Sequence, residues 1–87
     1  MGTVLFVFKI YPDGPENVEK VKNAIAKAVP KGTKLEETRL EPIAFGMSII
    51  RVGITSPDKK GVDDKIQAAL EKIKGVSQVE YETSTLI

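Results

Sequence analysis

The 87-residue sequence contains no cysteine and no histidine. Without cysteine there is no disulfide framework and no thiol nucleophile. Without either residue there is no zinc site of the usual sulfur or nitrogen kind. The missing imidazole also removes the commonest general base near neutral pH. No apolar run approaches the roughly 20 residues needed to span a bilayer. The first apolar stretch, Val4 to Phe8, is too short for the core of a secretory signal and has no basic segment before it. A cytoplasmic location is the resulting expectation. Neither sign of charge dominates, with 13 Lys and Arg against 12 Asp and Glu and a formal net charge of +1. That balance argues against a dominant role on nucleic acid or anionic membrane, but leaves a local patch open.

What is present fits one small domain over residues 1–87. A chain of this length buries roughly 60–65% of its unfolded surface, which gives a modest core. Thr3 to Tyr11 is rich in β-branched and aromatic residues and reads as a strand, apolar on both faces except for Lys9. Pro12-Asp13-Gly14 signals a turn and Pro15 suits a helix start. Val18, Val21, Ile25, Ala28 and Val29 then recur at helical spacing until Pro30-Lys31-Gly32. Lys34 to Leu40 is charged and weakly alternating, as an edge strand would be. Gly46 to Thr55 reads as a second apolar strand with Arg51 its only charge. Val62, Ile66, Ala69, Leu70 and Ile73 mark a second amphipathic helix, and Val76 to Leu86 alternates like an edge strand.

Strand, helix, strand, strand, helix, strand predicts an α+β, ferredoxin-like βαββαβ sandwich. Its four-stranded antiparallel sheet has the order 4-1-3-2, with both helices on one face. The two most apolar strands are the two this topology makes central. Burying an unpaired charge is costly, so Lys9 and Arg51 place Leu5, Val7, Met47 and Ile49 on the open face, near Glu80 and Glu82. Phe6, Phe8, Ile50, Val52 and Ile54 then meet the helices.

Candidate chemistry is sparse. Alternation along a strand sends Glu36 and Glu37 to opposite faces, so they are not expected to share a site. Asp63-Asp64 suits a helix N-terminus, and Glu80 and Glu82 suit a solvated edge strand. No glycine-rich phosphate loop is present. An RNA-recognition module would need aromatics on the third strand, where Ser48 to Ile54 has none. A Cys-x-x-Cys metallochaperone loop is impossible, and no catalytic residue, metal site or cofactor site is expected.

One segment remains, Glu41-Pro42-Ile43-Ala44-Phe45-Gly46-Met47 between the second and third strands. An aromatic at a loop tip suits binding. The plain alternative is a hairpin in which Phe45 tucks over the sheet edge. The segment resembles the Pro-Ile-Ala-Phe-Gly-Leu stretch of the archaeal translation elongation factor 1 beta family, guanine nucleotide exchange factors of the elongation factor 1 alpha GTPase. The resemblance extends along the chain through the Tyr11-Pro12 turn and Gly75-Val76.

It implies a non-enzymatic domain, monomeric on its own, that docks on elongation factor 1 alpha and promotes GDP release and GTP loading. It also implies no direct nucleic-acid or membrane contact. Pro42, Ile43, Ala44, Phe45, Gly46 and Met47 would form the partner contact. Two departures limit the carry-over. Ser48 stands where family members have a lysine soon after the motif glycine, and no lysine follows Lys74, so a magnesium-displacing tail lysine cannot be assigned. The competing reading is a ferredoxin-like module that binds a small ligand, or a second copy of itself, through the open sheet face.

Overall fold

Every second side chain of the first strand is buried. Val4, Phe6, Phe8 and Ile10 point inward while Leu5, Val7, Lys9 and Tyr11 are half-exposed, the period-2 pattern of a sheet covered on one face. A computed structural model, which describes residues 2–87, places this strand, β1 (Thr3–Pro12), in the middle of the sheet. A short 3-10 turn (Pro15–Asn17) leads into α1 (Val18–Ala28), followed by β2 (Lys34–Pro42) and β3 (Ser48–Pro57). Then come α2 (Val62–Glu71) and β4 (Val76–Leu86). The strands pair antiparallel in the order β2-β3-β1-β4. This is the expected ferredoxin-like topology, with the two apolar strands central.

The helices cover the inward face through narrow apolar stripes. Val21 and Ile25 of α1, with Ile66 and Leu70 of α2, join Phe6, Phe8, Ile10, Ile50, Val52 and Ile54 in one core. Spacings of four residues keep each stripe on one side of its helix. Val29 ends α1 by turning to extended geometry (φ −60°, ψ 139°), because Pro30 disfavours a helical residue before it. Tyr81 of β4 closes the core's edge against Phe6 and Phe8, its ring centroid 6.4 and 5.5 Å from theirs.

Two boundaries differ from the sequence expectation. β2 runs on to Pro42, and β3 begins at Ser48 because Gly46 belongs to the turn between them. Both edge strands are also bulged. Leu35 of β2 faces Ile54 but Glu37 faces Gly53, so Glu36 is an extra residue. On β4, Thr83 faces Val7 but Tyr81 faces Phe8, leaving Glu82 extra. A bulge of this kind puts neighbouring residues on one side of the sheet.

The strands carry the chain between two ends of an elongated body, 43 × 20 × 16 Å. One end holds the β1–α1 connection, the β2–β3 hairpin and the α2–β4 turn. The first and the last of these are linked by the Asp13 N–H, which donates to Gly75 O at 2.6 Å. The opposite end holds the α1–β2 and β3–α2 loops. No helix among the described residues is long and apolar enough to cross a membrane.

Candidate functional site at the hairpin tip

The β2–β3 connection is a tight reversal. Pro42 still pairs with Ser48, the Ile43 N–H donates to Met47 O at 3.0 Å, and the Met47 N–H donates to Ala44 O at 2.9 Å. The two residues inside that last bond, Phe45 and Gly46, have φ values of +55° and +77°. Two central residues at positive φ closed by an i to i+3 bond make a type I′ turn, whose twist matches the flanking strands. Gly46 takes its place without cost. Phe45 does not, because a left-handed conformation costs an L-residue with a Cβ about 1–2 kcal/mol. Asn-Gly is the pair this turn favours.

Phe45 is also 99% exposed. The plain alternative, in which its ring tucks over the sheet edge, is therefore ruled out, since the turn throws it outward into solvent, as an aromatic at a loop tip suggests. Ile43 is 56% exposed beside it, and Pro42, Ala44 and Gly46 are exposed as well, while Met47 is half-buried. The six residues singled out in the sequence thus form one continuous apolar tip. Its base sits close to Pro15, so that a Cβ on Gly46 would lie 3.8 Å from the proline ring. The tip is a projection carrying a large ring, and none of its six residues, Pro42 to Met47, has an ionisable or nucleophilic side chain. Such a tip suits binding.

The open sheet face is the second candidate. Arg39, Arg51, Lys9 and Glu80 lie directly opposite one another across the four strands. Like charges directly opposite repel, and the β4 bulge supplies the remedy. Glu82 Oε1 lies 3.2 Å from Lys9 Nζ and accepts a 2.5 Å hydrogen bond from Arg51. On its other side Arg51 Nε lies 2.9 Å from Glu41, as an ion pair without hydrogen-bond alignment. The hydrogen bond from Lys9 to Glu82, together with the carboxylate's charge, holds the Lys9 ammonium above the usual lysine range.

One expectation on this face is corrected. Glu36 and Glu37 do not point to opposite faces. The bulge turns both outward, where they line one cavity of about 280 Å³ with Arg39, Arg51, Glu82 and Leu5. Strict alternation holds only in an unbroken ladder. Their hydrogen bonds go to local partners: Glu36 accepts from Thr55 Oγ1 at 2.8 Å and Glu37 from Arg39 at 2.7 Å. No group of three or more metal-ligating side chains occurs among the described residues.

Residues 5–87 match the family described as the EF-1 guanine nucleotide exchange domain. The chain belongs to this family. Among its relatives, Elongation factor 1-beta of Methanoculleus marisnigri is 40% identical over the full length of both chains. Elongation factor 1-beta of Ignicoccus hospitalis is 38% identical, covering 95% of this chain and 90% of the other. That of Metallosphaera sedula is also 38% identical, covering 92% and 90%. The fold itself recurs in a de novo designed protein, Foldit4, with a TM-score of 0.69 at 19% identity, covering 95% of this chain and 96% of that one. Membership of the exchange-domain family and the name shared by these relatives support a nucleotide-exchange role in translation elongation.

Sequence reasoning found the hairpin tip of this exchange domain but missed its geometry. The signal was available, since a Phe-Gly pair between two strand-like runs is the length of a two-residue turn. Placing Gly46 inside the third strand concealed it. The joint role of Glu82 as partner to both Lys9 and Arg51 was also missed, because nothing in the β4 sequence announces a bulge.

Proposed function

We propose that the protein is a guanine nucleotide exchange factor that promotes GDP release and GTP loading on the elongation factor 1 alpha GTPase during polypeptide elongation. It acts in the cytoplasm and without catalytic chemistry of its own. The observation that carries this reading is Phe45, an aromatic ring 99% exposed on a residue held at φ +55°. Neither exposure nor strain serves folding, so the ring is retained for what it touches. Pro42, Ile43, Ala44, Gly46 and Met47 surround it as the rest of the docking tip.

Exchange needs no reacting side chain. The factor must bind the nucleotide-free GTPase more tightly than the nucleotide-bound form, and linkage makes the effect reciprocal. A thousandfold acceleration of release corresponds to roughly 4 kcal/mol. A fully desolvated aromatic anchor supplies about 2 kcal/mol or more. The apolar neighbours on the tip, Ile43 first among them, contribute part of the remainder.

The test is release of a fluorescent GDP analogue from the cognate alpha subunit, with and without the protein. Release should accelerate, and Phe45→Ala should lower the acceleration about thirtyfold, which is 2 kcal/mol at about 1.4 kcal/mol per tenfold. The far-ultraviolet circular dichroism should be unchanged. No acceleration at stoichiometric excess would sink the proposal.

A further inference from the structure

At the end of the molecule opposite Phe45, the α1–β2 and β3–α2 loops enclose a pocket of about 200 Å³. Its lining includes Lys31, Lys59, Lys60 and Lys65 together with Thr33 and Ser56. The pocket shares Pro30 and Lys65 with a shallower groove along α2, floored by Ala28, Ala68 and Ala69 and edged by Lys72. Five lysines therefore follow one continuous track. Lys65 and Lys72 are seven residues apart, two helical turns, or about 10.5 Å along the axis.

Every ion pair among the described residues lies on β1 to β4, and none involves these five lysines. Asp58, Asp63 and Asp64 are close in sequence, yet none of them lines the pocket or the groove. The chain's near-neutral total thus conceals an unneutralised basic strip.

We propose that this strip binds the phosphate backbone of a nucleic acid, without regard to base sequence. Lysine is a compact point charge suited to phosphate. The strip has no arginine to read base edges and no aromatic on which a base could stack, so affinity must come from the backbone alone. An acidic protein segment is the weaker fit. Protein interfaces are centred on large buried anchors, and the alanine floor offers no deep recess for one. A single small anion would fill the pocket but leave Lys72 unused, whereas a chain of phosphates uses the whole track.

The test is fluorescence anisotropy with a labelled 20-nucleotide poly(U) RNA. At 50 mM salt, binding should be measurable below about 100 µM, within the usual span of non-specific affinities. The slope of log K against log salt should be about −3, from four to five phosphates at about 0.7 each. Lys59→Glu combined with Lys60→Glu should weaken binding at least tenfold. Lys20→Glu combined with Lys22→Glu, the same change in net charge on the part of α1 that lines neither the pocket nor the groove, should weaken it less than threefold. Tripolyphosphate and 20-residue poly-glutamate should both compete at least tenfold less well than unlabelled RNA.

The proposal is overturned by any one of four results. These are no binding at 50 mM salt, equal losses in the two double variants, poly-glutamate competing as well as RNA, or tripolyphosphate doing so. The substituted lysines lie outside the core, so folding of each variant can be verified by thermal denaturation before binding is read.

Discussion

Phe45 carries two costs that folding alone would remove. Its φ of +55° is strained for a residue with a Cβ, and its ring is out in water. Asparagine tolerates the left-handed region far better and is the residue this turn prefers before glycine. Phe45→Asn should therefore stabilise the domain by about 1 kcal/mol, raising Tm by roughly 4–8 °C while weakening exchange. Phe45→Ala keeps the strained backbone and should move Tm little. Thermal denaturation of the three proteins separates the cases, and an unchanged Tm for Phe45→Asn would show that the turn is not strained. Gains in stability that reduce activity are the mark of a residue kept for binding.

Among the elements, the two edge strands share one device. Each inserts an extra glutamate by a bulge, Glu36 in β2 and Glu82 in β4. The Glu82 bulge sets one carboxylate between Lys9 and Arg51, and the hydrogen bond to Lys9 raises that lysine's pKa above the ordinary 10.5. The unfolded chain then loses the Lys9 proton before the folded one does. The contribution is complete below pH 10.5 and fades as pH rises through the folded value. Glu82→Gln should lower stability by removing the carboxylate that Lys9 and Arg51 share, and should flatten the fall in stability above pH 10.5. Urea midpoints from pH 8 to 11.5 for both proteins test this, and parallel curves would refute it.

The same elements mark the limit of what could be read from the sequence. β1 and β3 were legible because a one-sided core enforces alternation, as in Phe6, Phe8 and Ile10 and again in Ile50, Val52 and Ile54. The bulges were not, because edge strands bury little and their charged residues suit either phase. Hence alternation alone sends Glu36 and Glu37 to opposite faces and gives Glu82 no role beyond solvation. Phe45 is legible as an exposed loop-tip aromatic, whereas the I′ turn and the positive φ that hold it there show only in the backbone geometry.

On the scale of the whole molecule, the apolar projection stands at one end of a body 43 Å long, and the basic strip runs from a pocket at the other end along α2. On the two proposals above, a partner docked at Phe45 would leave the pocket lysines Lys31, Lys59 and Lys60 at the far end open to a second ligand. The open sheet face between them is crossed by the Lys9–Glu82–Arg51–Glu41 network. Two copies meeting there would have to desolvate those charges, which is costly. Light scattering across a hundredfold concentration range should accordingly report a monomer, and a stable dimer would instead favour the open face as a self-association surface.

The bulges have one more consequence. Glu37, Gly53, Val7 and Thr83 form a single row across the sheet, and both edges lose their regular spacing at that row. A strand from another molecule zipping along either border would fall out of step there. Along β2 it would also run against Lys34, Glu36, Glu37, Arg39 and Glu41. Such borders are poor seeds for the edge-to-edge strand addition that begins fibre growth.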